Sequence, residues 1–197
     1  MSTNEPTILL PITIIGSSTR FVVSSSCLLL VLSTRTPLSL LFLFSAILNS
    51  IFGKILKKTL KQSRPANSPL TEHSGGMPSS HALALGFLYT GTTILYLPSF
   101  LSPISIGILI YSLIGLYYRI LRDLHSLDQV IVGFLLGCLD SHLIWGTGFG
   151  TKGVSFFESS FGNDLSIGAL VGLAVFGAFT VTWREIAQAS RFIKKKT

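Results

Sequence analysis

The sequence predicts an all-α protein, a polytopic membrane helix bundle of about six helices. Three observations predict it. Of the 197 residues, 48% are hydrophobic and only 12% are charged, with mean hydropathy +0.63. In a soluble domain about a quarter of residues are charged. The apolar residues gather into six stretches, and the basic residues sit beside those stretches. The same arithmetic excludes disorder, which needs low hydrophobicity and high charge. The length accommodates one domain, so residues 1–197 read as a single membrane domain. Cys27 and Cys138 lie in apolar runs and suggest no disulfide framework.

The six stretches are Phe21–Ser33, Pro37–Gly53, Leu83–Leu97, Leu101–Tyr118, Val130–Gly146 and Leu165–Thr182. A bilayer span takes about 20 apolar residues. The first is short and can begin near Ile8, with Arg20 inside it or snorkelling to the interface. The third is short as well. The Ser-rich start, with Glu5 its single acid, bears a faint likeness to a plastid transit sequence. Gly133/Gly137 and Gly168/Gly172 form small-residue pairs that permit close helix packing.

The charge is localised. The net charge is +7, and five of the 15 Lys and Arg fall in Lys54–Arg64. Five more follow the last apolar stretch: Arg184, Arg191, Lys194, Lys195 and Lys196. Placed beside apolar segments, they point to a membrane surface or an anionic ligand rather than nucleic acid. The Lys194–Thr197 end also has the form of a dilysine endoplasmic-reticulum retrieval signal.

One connection differs from the rest. Residues 65–80 are rich in Pro, Ser and Gly and predict an exposed loop. No helix breaker precedes Pro65, so Lys54–Arg64 is expected to extend the second helix beyond the bilayer. That helix would carry Lys57, Lys61 and Arg64 on one face, at i, i+4 and i+7. Three cations on one face favour an anion there or solvation by snorkelling. After the loop, Ser79 or Ser80 is a natural N-cap for the third helix, with His81 in its first turn. A helix N-terminus with hydroxyls binds phosphate well. Arg119, Arg122, His125, Asp128 and Gln129 cluster between helices four and five. His125 is i, i+3 from Asp128 and i, i+4 from Gln129, so either can hold the imidazole in one tautomer.

Together these segments resemble the type 2 phosphatidate phosphatase superfamily, whose pattern is K-x6-RP, then PSGH, then SR-x5-H-x3-D. The first element is matched by Lys57 and Arg64-Pro65. The second is Pro78-Ser79-Ser80-His81, with Ser in place of Gly. The third keeps Arg119 and His125, with Tyr118 in place of Ser. Gln129 stands where the Asp is usual, and Asp128 is one place earlier. The form Gly-Met-Pro-Ser-Ser-His with Asp-Gln-Val is similar to the dolichyl-diphosphatase branch and to plastid lipid phosphate phosphatases. The motifs lie within residues 54–133.

The resemblance implies a metal-independent lipid phosphate or diphosphate hydrolase with no cofactor. It implies phosphate binding by Lys57, Arg64, Ser79, Ser80 and Arg119. It also implies His125 as the nucleophile that becomes a phosphohistidine, with Asp128 or Gln129 orienting it, and His81 as proton donor and then base. The expected partners are a lipid phosphate or diphosphate and the bilayer, with no nucleic acid. Polyisoprenyl diphosphate leads as substrate, with phosphatidate second and a non-catalytic lipid-phosphate binder as the reading from another class. A vanadate haloperoxidase shares the motif residues, but the chain is too apolar for one.

Topology agrees with one site. The first two motifs flank one loop, helix three crosses, helix four returns, and the third motif opens on the same face. If both remaining stretches span, the tail shares that face. The opposite loops carry only Arg35 and Lys152, and the positive-inside rule then places the site in cytosol or stroma. A dolichyl-diphosphatase role implies a luminal site instead. The endoplasmic reticulum leads as location, with a plastid membrane as the alternative. Asp140 and His142 within the fifth stretch read as bundle or far-interface groups. Glu72 and His73 read as solvated loop residues. Arg122 and Asp123 read as interface groups.

Overall fold

A computed structural model describes residues 9–69 and 75–161, with Gly168 and Gly172. The described regular structure is helical. The helices are α1 (Leu9–Thr34), α2 (Pro37–Leu60), α3 (Ser80–Tyr96), α4 (Pro103–Leu121), α5 (Leu127–Ser141) and α6 (Phe149–Phe161). A π-helical turn, His142–Gly146, continues α5. Two compact units are distinguished: Met1–Arg20 with Ser45–Gly150, and Phe21–Phe44 with Thr151–Thr197. Every candidate site residue lies in the first.

Local chemistry explains the helix ends. Ser102 caps α4 by accepting the Ser105 N–H at 3.2 Å, with Pro103 at the first helical position. Gln129, in the first turn of α5, reaches back to the Ser126 N–H at 3.3 Å, as in a capping box. Arg35, at φ 48°, separates α1 from α2.

Among the described residues, three helical segments are long and apolar enough to cross a membrane: Pro37–Leu60, Pro103–Leu121 and Leu127–Gly146. The two halves of α1 make a fourth if they count as one span. Leu113, Leu135 and Leu139 are all exposed on these spans. Such surface is costly against water and suits lipid. Helix α3 has 17 residues, the lower bound for a span. It is well covered by protein, with Ala82, Leu83, Leu85 and Phe87 buried.

Two departures from the expectations stand out. Helix α2 stops at Leu60, and Lys61 is left-handed at φ 47°. Lys57, Lys61 and Arg64 therefore do not share a helix face. Beyond Leu60 the backbone is claimed by tertiary partners: Gln62 O accepts the Gly76 N–H at 2.6 Å, and Ser63 O accepts from Gln129 Nε2 at 2.7 Å. Lys152, expected in a loop, lies in α6, a 13-residue helix too short to show as a span. The stretch Leu165–Thr182 and the basic tail lie outside the described residues.

The core of the first unit is the pairing of α3 with α5. A Cβ on Gly137 would overlap Leu83 O, and one on Gly86 would overlap Phe134 O. One on Gly133 would lie 2.8 Å from Ser79 O. The two backbones are thus in direct contact, as small-residue pairs permit. Partners advance together, from Ser79 with Gly133 to Leu83 with Gly137, so the helices run parallel and begin at the same end. On α3, Leu83 O also accepts from Asn49 Nδ2 of α2 at 3.5 Å.

Gly137→Ala should separate α3 from α5 and cost roughly 1–3 kcal/mol, as overpacking does. Gly107, on α4, has nothing within 4 Å of the point a methyl group would occupy, so Gly107→Ala should be neutral or stabilising by about 0.4–1 kcal/mol. Thermal unfolding in detergent checks both; equal effects would contradict the packing described.

Candidate active site

The five-residue spacing between Arg119 and His125 follows from how α4 ends. Arg119 O accepts the Leu124 N–H at 3.0 Å and the His125 N–H at 3.3 Å. Such back-bonding satisfies a terminal helix carbonyl. Asp123, at φ 51°, supplies the left-handed residue of the reversal, a conformation Asp tolerates better than most. Ser126 then opens α5. His125 is held between two helix ends and is 5% exposed.

Both ends of the Gln129 side-chain amide are fixed by backbone groups. Its Nε2 donates to Ser63 O at 2.7 Å, and its Oε1 accepts the Ser126 N–H at 3.3 Å. A carbonyl can only accept and an N–H can only donate, so the amide has one orientation. His125 Nδ1 lies 3.1 Å from that same Oε1. Nδ1 must therefore carry the proton, and Nε2 keeps the lone pair. Nε2 faces Arg64 Nη1 at 3.4 Å. Of the two expected neighbours, Gln129 contacts the ring. Asp128 is exposed, accepting from Ser126 Oγ and from Gln62 Nε2, the latter at 3.2 Å.

Arg64 is anchored by donating from Nη1 to Leu124 O at 2.8 Å. Burial lowers its pKa from the usual arginine value, and arginine stays cationic in proteins. Burial first, and then the Arg64 and Lys57 charges, push the His125 imidazole down to about 4; hydrogen bonding to Gln129 and to the Gly76 backbone acts in the opposite direction. The ring is thus neutral at physiological pH.

Ser79 precedes α3, and its N–H donates to Gln129 O at 3.1 Å. That bond places Ser80 and His81, the first residues of α3, at the α5 end that bears Gln129. The Ser79 Oγ is buried and makes no hydrogen bond within the described chain. Gly75 and Gly76 pass close by: a Cβ on Gly75 would lie 2.7 Å from Lys57 O, and one on Gly76 would overlap Gln129 Nε2. Arg119 joins the cluster through its backbone. Its guanidinium is buried, donates from Nη2 to Gly16 O at 3.4 Å, and lies 5.7 Å from the Tyr118 ring centroid. Arg122 lies 6.0 Å from the same ring, so the Tyr that replaces the usual Ser stacks with two arginines.

Arg64, His125, Gln129 and Ser79 are thus linked through direct bonds, with Lys57 acting by charge. Gly76, which opens the Gly-Met-Pro-Ser-Ser-His motif, completes the network with Gln62, Ser63 and Leu124, which the sequence did not single out. Among the described residues no three His, Cys, Asp or Glu group to hold a metal ion. Asp140 is half-buried and His142 exposed at the other end of α5. Glu72 and His73 lie outside the described residues.

The sequence profile of the PAP2 superfamily matches residues 38–149. A dolichyldiphosphatase of Saccharomyces cerevisiae is 32% identical over 123 residues, covering 56% of this chain and 52% of that protein. The chloroplastic lipid phosphate phosphatase epsilon 1 of Arabidopsis thaliana is 27% identical over 179 residues, covering 86% of this chain and 63% of that protein. The chain therefore spans about half to under two thirds of these relatives' lengths. Among solved structures, the PAP2-type phosphatidylglycerolphosphate phosphatase of Bacillus subtilis aligns at TM-score 0.50 with 27% identity, covering 74% of this chain and 70% of that one.

An NMR titration of the His125 ring should give a midpoint near 4, against 6.5 for an unperturbed ring. Arg64→Gln removes a charge that opposes protonation and should raise that midpoint. Between about 6.5 and 4 the unfolded ring binds the proton and the folded ring does not, so stability should fall as pH drops through that window. A wild-type midpoint at or above 6.5 would contradict the buried neutral ring.

Proposed function

The chain belongs to the PAP2 superfamily, and from that premise we propose that it is an integral-membrane, metal-independent lipid phosphatase acting through a phosphohistidine on His125. The observation that carries the reading is the fixed tautomer: Nδ1–H is committed to Gln129, and the Nε2 lone pair faces the Arg64 guanidinium.

Phosphoryl transfer needs positioning and neutralisation of charge on the phosphate oxygens. In this reading Arg64 and Lys57 take those oxygens, displacing the contact between Arg64 and the ring. The buried Ser79 Oγ and the Ser80 hydroxyl, with the α3 N-terminus, complete the cradle. Arg119 adds charge from the end of α4. His125 Nε2 attacks phosphorus as the bond to the leaving oxygen breaks, and His81 gives that oxygen its proton. His81 then takes a proton from water, whose oxygen attacks the phosphohistidine. Inorganic phosphate leaves, and His125 returns to its neutral form. Gln129 accepts from Nδ1–H throughout.

The proposed substrate is a polyisoprenyl diphosphate, a reading supported by the Ser-Ser-His and Asp-Gln-Val sequences and by the likeness to the yeast dolichyldiphosphatase. Phosphatidate is the second reading, supported by the longer alignment with the chloroplastic phosphatase. The endoplasmic reticulum and a plastid membrane are the matching proposed locations. Non-catalytic binding of lipid phosphate is disfavoured because His125, His81 and the cations are all present.

The test is phosphate release in detergent with EDTA, comparing polyisoprenyl diphosphate with phosphatidate, with His125→Ala alongside. EDTA-resistant release that His125→Ala abolishes is expected, greater on the diphosphate. Loss of activity in EDTA would overturn the metal-independent reading. The leaving group supplies a second prediction. Phosphatidate expels an alkoxide that needs a proton, whereas the diphosphate expels a lipid monophosphate. His81→Ala should lower phosphatidate turnover by roughly 10²–10⁴-fold, the scale of lost general-acid catalysis, and diphosphate turnover far less. Equal losses would remove His81 from the leaving-group step.

A further inference from the structure

The usual carboxylate is displaced by one residue, and Gln129 occupies its place against the ring. The displaced carboxylate is nevertheless connected to that ring. Gln129 Nε2 lies 3.4 Å from Gln62 Oε1, and Gln62 Nε2 lies 3.2 Å from Asp128 Oδ2. The direction of each bond is determined. An Asp carboxylate only accepts, so Gln62 must turn its N–H toward Asp128 and its carbonyl toward Gln129. Gln129 is already fixed by Ser63 O and the Ser126 N–H. The donors therefore all run one way, from His125 Nδ1–H to Gln129, from Gln129 to Gln62, and from Gln62 to Asp128.

We propose that Gln62 is a positioning residue for His125, coupling the Asp128 carboxylate to the ring through Gln129. Aligned amide dipoles polarise one another along such a chain. The carboxylate at its end makes Gln129 Oε1 a better acceptor than an isolated amide. That matters most when Nε2 bonds to phosphorus and the ring gains positive charge. Arg64, which faces Nε2, and the Lys57 charge both oppose that charge, so the relay acts where the ring needs a negative partner. Exposed Asp128 keeps its charge in water and avoids the desolvation that a buried carboxylate at position 129 would meet. Two further bonds hold the relay: Ser126 Oγ donates to Asp128, and Gln62 O accepts the Gly76 N–H.

The proposal rests on His125 being the nucleophile, so the test reads the ring and the reaction separately. The full chain in detergent is made as Asp128→Asn, Gln62→Ala and the double variant Gln62→Glu with Asp128→Asn. The double variant moves the carboxylate one link closer and lets the new amide at position 128 donate to it. The ring is read by the chemical shift of the His125 Nδ1–H proton, and the reaction by phosphate release from polyisoprenyl diphosphate. Each single variant should move the proton upfield and lower kcat about tenfold, the low end of what losing the outer-shell partner of a metal-bound histidine costs, with KM nearly unchanged. The double variant should restore both. Single variants matching wild type, or a double variant no better than Asp128→Asn, would overturn the relay. A proton that shifts and recovers as expected in a protein that releases no phosphate would keep the relay and overturn the nucleophile reading instead. His125-dependent release with a proton and kcat indifferent to all three variants would do the reverse.

Discussion

The site depends on direct backbone contact between two parallel helices. Gly86, Gly133 and Gly137 leave no side chain between α3 and α5, and the Ser79 N–H to Gln129 O bond closes the same interface at its end. Two motifs about fifty residues apart in the chain thereby share one edge. A methyl group in the interface would not simply weaken packing. It would pull the start of α3, with Ser79 and His81, from the start of α5, with Gln129. In a bilayer, apolar burial gives little drive for helices to associate, so close van der Waals contact must supply it. The glycines therefore serve stability and alignment with the same atoms.

The second constraint is electrostatic. A histidine flanked by Arg64 and Lys57 cannot stay protonated easily, and burial works in the same direction. In the proposed reaction that would suit an attacking lone pair and would be unfavourable for the cationic ring formed afterwards. A carboxylate against Nδ1 would serve the later stage, and also invite a proton earlier. The neutral amide of Gln129 fixes the tautomer with less effect on the resting charge. Placing the carboxylate outside, on Asp128, separates orientation from charge.

Much of the fold was legible because each spanning helix announces itself by apolar length, and the first five stretches fall on α1 to α5. Gly133 and Gly137 were visible as a packing pair, although their partner helix was not. The site was legible as far as motif residues go: the sequence offered Gln129 and Asp128 equally as neighbours of His125. What decided between them lies sixty-odd residues away, in Gln62 and Ser63. The lack of a helix breaker before Pro65 carried the expected helix past Leu60, because local sequence knows nothing of tertiary bonds that capture the backbone. Helix α6 went unread because 13 residues of mixed character give neither a span nor a clear turn.

The long separations within the network also set an order of events. Arg64 precedes its partner His125 by 61 positions, and Gln62 precedes Gln129 by 67. A chain made from its N-terminus has exposed its cations at the membrane surface well before α5 exists to receive them. Contacts this distant in sequence are slow to form. The nascent chain therefore carries Lys57 and Arg64 for some sixty residues before α5 begins at Leu127, and the imidazole acquires its defined tautomer only when Gln129 arrives. Until then neither ring nitrogen of His125 is committed to a partner, so the order of synthesis makes the arrival of α5 the event that defines the ring.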